Sequence, residues 1–590
     1  MMNSSEFMNR LLFALLLTSF TLFAGVNAVA QDAQQQSGTQ QTLLPEIDPQ
    51  DIEIRSQFQA RFPGLRRQPI LGFNPRPRVF QIDPNRTPFF EDEETVVANL
   101  PIGVLDRPEP PRYMPLGYSD PQNGFARIGI GSYFTPEADV YAVGRLNEKN
   151  RVSANINHLS TDGHLDGFKD SFRNSKIEMR SVHRVSGKTT VQTNLGVKSM
   201  FNHYPGMILQ DGEPGDDNTR TEALGTYGGF DLNYAQTSLS GVRIGLDGFS
   251  NQFDLTSDQP QLEGDAIEWG INGYAEYSRL GGNVEEVHRI KLATNAGGFD
   301  PLGAAESGSW SVTKVTAHYE RLFNYQTEVK AGAGFSGVSD AVNDFSFYPV
   351  ADVSVTHNLF SGLDLKAHLS AAPSLKNMGR VYSENRFVDF NGQLQHQYEW
   401  RGLAEVQIEP VSGTTFTGGV SYQNIKNYLY YTRNNNVLNV GAQVPPVLTE
   451  RYYGLNFENA NFFKLYGAFS QDLKADVIWI QADGAWQRPR LSNDEKIPFI
   501  ESLSIKGTIA FRPFSQLVVE GWGEYVGSRD DSEGDEMSSF INLGGRFEIS
   551  LNDRLGVYGK LVNLLDEEYE LWQGYPERGF QGYIGITYLF

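Results

Sequence analysis

Polar and apolar residues alternate in strand-sized runs from residue 123 to the end of the chain. One run carries apolar or small residues at every second position, namely Ile541, Leu543, Gly545, Phe547 and Ile549. The positions between them are Asn542, Gly544, Arg546, Glu548 and Ser550. Since side chains of a strand point alternately to its two faces, this period predicts strands with one apolar and one polar face. The charges on the polar face require water, whereas the apolar face suits contact with lipid.

The chain ends on such a strand, whose apolar face holds Gly582, Ile584, Ile586, Tyr588 and Phe590. An aromatic pair at its end suits a membrane interface. A terminal strand would leave an unpaired edge unless the sheet closed on itself. We therefore predict an all-β fold: a transmembrane antiparallel up-and-down β-barrel over residues 123–590. Ile586, Tyr588 and Phe590 are the candidate insertion signal for the barrel-assembly machinery.

The connections between the runs alternate in length, and this alternation predicts the topology. Short turns fall at 147–150, 186–188, 237–241, 280–283, 323–325, 360–363, 411–414, 472–475, 513–516 and 552–554. Longer polar connections lie between them, such as 160–172, 201–220, 376–393 and 528–538. In outer-membrane barrels short turns face the periplasm and long loops face outward. With both ends of the barrel in the periplasm, ten turns separate eleven hairpins, which predicts about 22 strands.

The first residues indicate export. Arg10 precedes an apolar run from Leu11 to Ala24, and Ala28-Val29-Ala30 fits a small-residue cleavage site. Residues 1–30 therefore resemble a secretory signal peptide, because the run is too short to span a bilayer. No later segment is apolar for long enough to form a spanning helix, so strands are expected to cross the membrane. The expected location is the outer membrane of a Gram-negative-type bacterium, with its lipid as partner.

Residues 31–122 differ from the rest in composition, because half of the 28 prolines lie between Pro45 and Pro121. Proline lacks the backbone donor of a regular strand, so we predict an irregular periplasmic extension. Between residues 55 and 86 it carries seven arginines and one acid, although the whole chain has a net charge of −22. This basic arm is predicted to dock at the acidic barrel through Arg61, Arg66, Arg67, Arg76 and Arg78. The alternative is a disordered tether that binds periplasmic partners.

The C-terminal stretch carries a more specific signal than alternation alone. It contains Asn563, Leu564, Leu565, Asp566, Tyr569, Trp572, Gly574, Tyr575, Pro576, Gly579 and Phe590 in this order. In this order and spacing, the stretch resembles the last two strands of TonB-dependent outer-membrane receptors. That family carries a folded plug before its barrel, whereas residues 31–122 are short and rich in proline, so a plug-less form is expected. Glu94, Thr95, Val96 and Val97 are a weak candidate for a TonB-contact segment.

The sequence offers little support for a catalytic site or a metal-binding site. The nine histidines are scattered singly over predicted strands and loops, without an HExxH motif or a paired metal motif. We therefore expect no enzyme and no cofactor, although a Ser-His-Asp hydrolase has partners too distant in sequence to be excluded by spacing. The acidic loop 529–536, like Asp211, Glu213, Asp216 and Asp217, could hold calcium. A solvated acidic loop is the preferred interpretation, and the net negative charge argues against nucleic acid.

Two functional hypotheses follow from this architecture. The first is a barrel that takes part in solute transport across the outer membrane. Its expected lumen-lining charges are Arg546, Glu548, Arg554, Lys560, Glu520 and Glu524. The alternative is a non-conducting scaffold whose loops or arm dock partner proteins. Since no full plug is expected, a separate plug or lipoprotein partner is a candidate partner in either case.

Overall fold

The computed structural model describes residues 123–590 apart from short gaps at 166, 206–208, 211–212, 215–217, 238, 259–262, 282–285, 303–305, 325, 435–436, 439–446, 449–451 and 475–476. The predictions for the signal peptide, the Pro-rich extension, the basic arm and the Glu94–Val97 segment therefore lie outside the described residues. So do Asp211, Asp216 and Asp217.

Twenty-two long strands make up the described part of the chain. The first eleven are β1 Gly124–Gly131, β2 Thr135–Asn147, β3 Asn150–Thr161, β4 Phe172–Arg184, β5 Thr189–His203, β6 Arg220–Thr237, β7 Ser240–Thr256, β8 Gly264–Leu280, β9 Glu286–Asp300, β10 Gly308–Phe323 and β11 Thr327–Ser339. The other eleven are β12 Ser346–Phe360, β13 Leu363–Leu375, β14 His396–Val411, β15 Thr414–Asn434, β16 Tyr452–Lys474, β17 Ile478–Leu491, β18 Leu503–Phe514, β19 Leu517–Val526, β20 Phe540–Ser550, β21 Leu555–Val562 and β22 Gln581–Leu589.

The strands form one closed antiparallel sheet. Each pairs with the next along the chain, and β22 pairs with β1 in a register that joins Phe125 to Leu589 and Gly131 to Tyr583. The main-chain nitrogen of Gly124 also donates to the carbonyl of Phe590 at 2.9 Å. This closure removes the free edge that a terminal strand would otherwise expose. The predicted all-β, 22-stranded, up-and-down barrel is confirmed.

The connections follow the predicted alternation. All ten predicted short turns join consecutive strands, and the opposite end carries ten longer connections and the three-residue turn 132–134 between β1 and β2. Four of the long loops contain a short two-stranded antiparallel sheet. The paired segments are 209–210 with 213–214, 437–438 with 447–448, 529–530 with 536–537, and 570–572 with 575–576. Within the described ranges the one helix is α1, Met378–Glu384, in the loop between β13 and β14. No described helix has the length and apolar character needed to cross a membrane.

The two faces of the wall differ as the alternation predicts. On β22 the side chains of Ile584 and Ile586 are 61% and 50% exposed, whereas Thr587, between Ile586 and Tyr588, is 1% exposed. Outward residues of other strands are also apolar and exposed, for example Ile177 and Leu224. A band of this kind matches the lipid-facing belt of a transmembrane barrel. Ile586, Tyr588 and Phe590, the candidate insertion signal, all lie on this outward face.

Candidate functional site

The most conspicuous feature of the long-loop end is an inward-folded connection. The crossing loop, residues 376–395, leaves β13 and re-enters the wall at β14. In the ring of 22 strands, β4 lies nine strands from β13, yet the guanidinium of Arg386 lies 5.0 Å from the ring centroid of Phe172 at the start of β4. On the other side, Phe387 stacks on Tyr575 in the loop between β21 and β22, with ring centroids 3.4 Å apart. The crossing loop therefore spans the mouth of the barrel.

Helix α1 is anchored to the inner wall by one carboxylate. Glu268, on the inward face of β8, is fully buried. Its two carboxylate oxygens accept the main-chain N–H groups of Met378 at 2.5 Å and Gly379 at 2.9 Å, and the side-chain amide of Asn251 donates at 2.7 Å. The first N–H groups of a helix have no partner within the helix, so a wall carboxylate can satisfy them. Asn377 caps the same end, since its side chain accepts from the Arg380 N–H.

An apolar core forms where the crossing loop meets the wall. Phe390 stacks on Phe253 of β7 at a centroid distance of 4.7 Å, and Tyr382 meets the same ring at 5.7 Å. Val381 and Val388 are fully buried in this cluster. Because burial of an aliphatic or aromatic side chain stabilises by about 1.5–3 kcal/mol, the loop holds its place through packing as well as polar contacts. A solvated loop would not bury these side chains.

Tyr453, at the start of β16, fixes the middle of the crossing loop. Its N–H donates to the carbonyl of Phe387 at 3.1 Å, and its carbonyl accepts the N–H of Asp389 at 2.7 Å. This exchange pairs Val388 with Tyr453 as a parallel bridge. The Tyr453 hydroxyl donates to the carbonyl of Gln573 at 2.8 Å, in the last long loop. One buried tyrosine thus joins the crossing loop to two other parts of the mouth.

The start of the crossing loop is held by an ion-pair cluster. The Lys376 ammonium and the Arg380 guanidinium lie 2.9 and 3.2 Å from the carboxylate of Glu384. The Tyr431 hydroxyl of β15 donates to the same carboxylate at 3.2 Å. Glu384 and Lys376 are largely buried, so solvent screens this cluster less than it would an exposed pair.

The end of the crossing loop is tied to a neighbouring loop. The main-chain N–H and the imidazole of His396 both contact the buried carboxylate of Asp340, in the loop between β11 and β12. Asn343 donates to the same group through its main chain and its side chain. Burial raises the pKa of Asp340, but the hydrogen bonds from His396 and Asn343 outweigh it and hold the pKa below its ordinary value. Asp340 is therefore charged at neutral pH.

The C-terminal motif organises the loop that meets the crossing loop. The side-chain amide of Asn563 donates to the carbonyls of Glu567 at 2.9 Å and Arg578 at 3.3 Å, and its oxygen accepts the Glu567 N–H at 3.0 Å. Asp566 accepts the N–H of Phe580 at 2.6 Å. These bonds hold the long loop between β21 and β22 in one shape. The motif therefore positions Tyr575 for its stack on Phe387.

Four of the six predicted lumen residues form a charged cluster on the inner wall. Arg546 donates to Glu520 at 2.9 Å, and both side chains are buried. Glu548, on the same strand as Arg546, accepts from Arg127 of β1 at 3.2 Å. Lys560 donates to Glu137 of β2 at 2.5 Å, and the Tyr558 hydroxyl contacts the same carboxylate at 2.6 Å. The cluster bridges the seam where the barrel closes, from β19 to β2.

The other two predicted lumen residues lie outside this cluster. Glu524 shares the inward face of β19 with Glu520 and lies opposite Lys506 of β18 in the strand register. Arg554 lies in the exposed turn between β20 and β21, at the short-turn end of the barrel. Arg554 continues the even-numbered series of Tyr558 and Lys560 but precedes the first residue of β21, so it lies at the rim of the barrel, and its place in the lumen stays a prediction. Whether these charges select a solute is still a prediction.

The described residues contain no cluster of three or more histidine, aspartate or glutamate side chains that could hold a metal ion. In the acidic loop 529–536, one oxygen of Asp531 accepts the N–H groups of Glu533 and Asp535 at 2.8 and 2.9 Å. Its other oxygen accepts the side-chain amide of Gln573 at 2.6 Å. Protein donors thus occupy the carboxylate that a calcium ion would need. The interpretation of residues 529–536 as a solvated acidic loop stays a prediction.

Sequence reasoning did not identify the crossing loop, Glu268 or Tyr453 as functional. The connection was expected to be long and polar, yet it carries apolar residues that a solvated loop has no reason to hold. These are Val381, Tyr382, Phe387, Val388, Phe390 and Leu394. So many apolar residues in a connection between two strands could have predicted a loop that packs into the barrel mouth. No sequence pattern singles out Glu268, because an inward-facing acid on a strand predicts only contact with water in the lumen.

No protein-family model matches the chain, and no curated protein matches its sequence. Among solved structures, the chain is similar to the ferric-catecholate import receptor Fiu of E. coli K12, at 9% identity and a TM-score of 0.60, over 80% of this chain and 82% of the receptor. The siderophore receptor PirA of Acinetobacter baumannii is similar at 10% identity and a TM-score of 0.61, over 80% and 81%. The copper transporter OprC matches at 12% identity and a TM-score of 0.59, over 81% and 82%.

At these identities the similarity establishes the fold. The barrel has the architecture of the TonB-dependent receptors that the C-terminal motif resembles, and this expectation is confirmed. The outer-membrane location expected from the sequence agrees with both the receptor fold and the lipid-facing band. The expected plug-less form concerns residues outside those described.

Proposed function

We propose that the protein takes part in the transport of a solute across the outer membrane, and that the crossing loop controls access to its lumen. The observation that supports the proposal most strongly is the inward-folded loop. It spans the mouth and is anchored at Glu268, Tyr453 and Asp340. A loop that spans the mouth of a barrel with a charged inner wall suits a pathway that opens only for certain solutes. The named structural relatives are a ferric-catecholate import receptor, a siderophore receptor and a copper transporter, which supports a transport role but not a particular solute.

The basic arm is a second part of this proposal. Five of its arginines, Arg61, Arg66, Arg67, Arg76 and Arg78, would dock at the short-turn end of the barrel and partly occlude it. Arginine binds carboxylates through two parallel hydrogen bonds, which favours it over lysine in this role. Replacing the five by glutamine should raise pore conductance and the protease sensitivity of the arm. Unchanged conductance and unchanged cleavage at low salt, where screening is weakest, would contradict this docking.

The crossing loop also suits the second hypothesis, a non-conducting scaffold. A mouth core with several buried aromatic residues resembles a permanently folded surface more than a mobile loop. The two functions separate in cells. Deletion of the gene should cause a growth defect on one nutrient if the protein transports a solute. Loss of a stoichiometric co-purifying partner, without any uptake defect, would favour the scaffold.

A further inference from the structure

A serine, a histidine and an asparagine form a hydrogen-bonded row at the long-loop end of β4, β5 and β6. The Ser171 hydroxyl oxygen lies 2.8 Å from Nδ1 of His203, and Nε2 of the same ring lies 3.2 Å from the side-chain oxygen of Asn218. An amide oxygen only accepts, so Nε2 carries the ring proton in this arrangement. Nδ1 is then the acceptor that faces the Ser171 hydroxyl. The asparagine thus sets the tautomer that a general base requires.

This arrangement has the parts of a nucleophile, a base and an orienting group. Serine is a weak nucleophile unless an adjacent base accepts its proton, and the base is most effective when a third group fixes its ring. Such triads recur on unrelated folds and are recognised by geometry rather than by order in the sequence. Two other histidines also have hydrogen bonds at both ring nitrogens, but neither has a serine on one side and an amide on the other. His158 lies between two serines, and His396 lies between Asp340 and a tyrosine in a buried cluster without a serine.

The row lies on the outward face of the wall. On β4 and β5 the odd-numbered residues point outward, as the exposure of Ile177 and Val197 shows. Ser171 and His203 continue these odd-numbered series toward the long loops. On β6 the even-numbered residues point outward, as Leu224 shows, and Asn218 continues that series beyond the strand end. The row therefore sits just above the lipid-facing band, at the level of lipid headgroups.

Exposed cations flank the row, beside two carboxylates that already have protein partners: Asp170 pairs with His164 at 2.6 Å, and Asp258 accepts the Asn218 N–H at 3.1 Å. Lys169 and Arg173 lie two residues to either side of Ser171, both are exposed, and neither makes an ion pair with a described residue. The Arg173 guanidinium lies 5.7 Å from the ring centroid of Phe201, which points outward on β5. Arg220 lies beside His203 in the register of β5 and β6, and its guanidinium lies 3.7 Å from the carboxylate of the exposed Glu222. Free cations at headgroup level favour a phosphate-bearing lipid.

From this geometry we propose that Ser171, His203 and Asn218 form a hydrolytic site that cleaves acyl esters of phosphate-bearing lipids in the adjoining leaflet. The proposal is independent of the transport function, and it departs from the expectation of a non-enzyme. Ser171 is the nucleophile, His203 is the general base and acid, and Asn218 is a positioning residue. Lys169 and Arg173 supply positive charge for the lipid phosphate.

The reaction balances with water as the second substrate. The Ser171 oxygen adds to the ester carbonyl carbon while its proton moves to Nδ1 of His203. The bond to the alcohol oxygen then breaks, the same proton passes to that oxygen, and the lysolipid leaves. Water attacks the acylated Ser171, gives one proton to Nδ1, and releases a fatty acid as the serine oxygen regains that proton. One ester and one water thus become one acid and one alcohol, without oxidation or reduction.

The first test labels the nucleophile directly. The full chain, refolded in detergent micelles and checked for a heat-modifiable folded band on gels, is treated with a long-chain fluorophosphonate and digested for mass spectrometry. We expect adduct on the Ser171 peptide and none in Ser171→Ala or His203→Asn. Ser175→Ala and His158→Asn are matched controls on the same wall, because they remove the serine–histidine contact at 2.8 Å that has no amide acceptor behind it. Folded wild type without adduct, or equal labelling after His203→Asn, would overturn the proposal.

The second test measures turnover and the lipid class. Release of fatty acid is followed from vesicles of phosphatidylethanolamine, from an acylated phosphorylated glycolipid, and from a neutral diacylglycerol. Loss of His203 should lower kcat by about 10²–10⁴-fold. Asn218→Ala should lower kcat by at least about tenfold with little change in KM, and Asn218→Asp should restore it. Arg173→Gln should raise KM for the two phosphate-bearing lipids only. No release from any of the three lipids, or a preference for the neutral one, would refute the lipid assignment.

Discussion

Removal of the Glu268 carboxylate should free the crossing loop from the wall. In Glu268→Ala, the N–H groups of Met378 and Gly379 and the Asn251 amide lose their common acceptor. Hydrogen bonds to a charged group contribute about 1.5–3 kcal/mol each, so the two main-chain bonds amount to about 3–6 kcal/mol. Relief from burying a carboxylate offsets several kcal/mol of this loss. The free energy that holds the crossing loop against the wall should therefore fall by about 1.5–3 kcal/mol in Glu268→Ala. This raises the fraction of molecules with a detached crossing loop roughly 10- to 100-fold.

The absence of cysteine from the chain makes this change directly measurable. A single Val388→Cys substitution places a thiol at a fully buried position of the crossing loop, where only an open state lets a maleimide reach it. The labelling rate should rise about 10- to 100-fold when Glu268→Ala is added. Glu276→Ala is the matched control, because Glu276 lies on the same inward face of β8 without a hydrogen-bond partner among the described residues. Equal labelling rates in the two double variants would refute the anchoring role of Glu268.

Three further outcomes follow from the same structure. Arg546→Gln alone should lower the free energy of unfolding by about 3–5 kcal/mol, because it leaves Glu520 charged and buried, whereas adding Glu520→Gln should recover part of the loss in urea titrations. Phe590→Ala should reduce the outer-membrane level in cells but leave refolding into detergent unchanged, as immunoblots and gel shifts would show; an equal defect in both would assign Phe590 to barrel stability instead. Because the folded state holds the pKa of Asp340 below its ordinary value of 3.8, its contribution to stability should be full above that pH and fall as the pH drops below it. The free energy of unfolding in urea titrations should therefore decrease in this range in wild type, and by less in Asp340→Asn.

Alternation and connection lengths predict the barrel because each is a local property with a direct physical cause. A strand that separates water from lipid must alternate, so the inward placement of Arg546 and Glu548 follows from Phe547 and Ile549. The partner of Glu548 does not follow, because Arg127 of β1 reaches it only when β22 closes on β1. The inward fold of the crossing loop could not be predicted from local sequence patterns for the same reason. Its contacts come from strands up to nine positions away around the ring, and no period in the sequence encodes them.

The most direct test of a gated pathway is single-channel conductance in planar bilayers. Two forms of the barrel without residues 31–122 would be compared, one intact from residue 123 and one with residues 379–392 replaced by a short Gly-Ser linker. The transport proposal predicts large, stable conductance steps from the form with the linker and far smaller or rarer steps from the form with the crossing loop. A folded, linker-bearing barrel that passes no current would contradict the proposal and leave the scaffold as the better explanation.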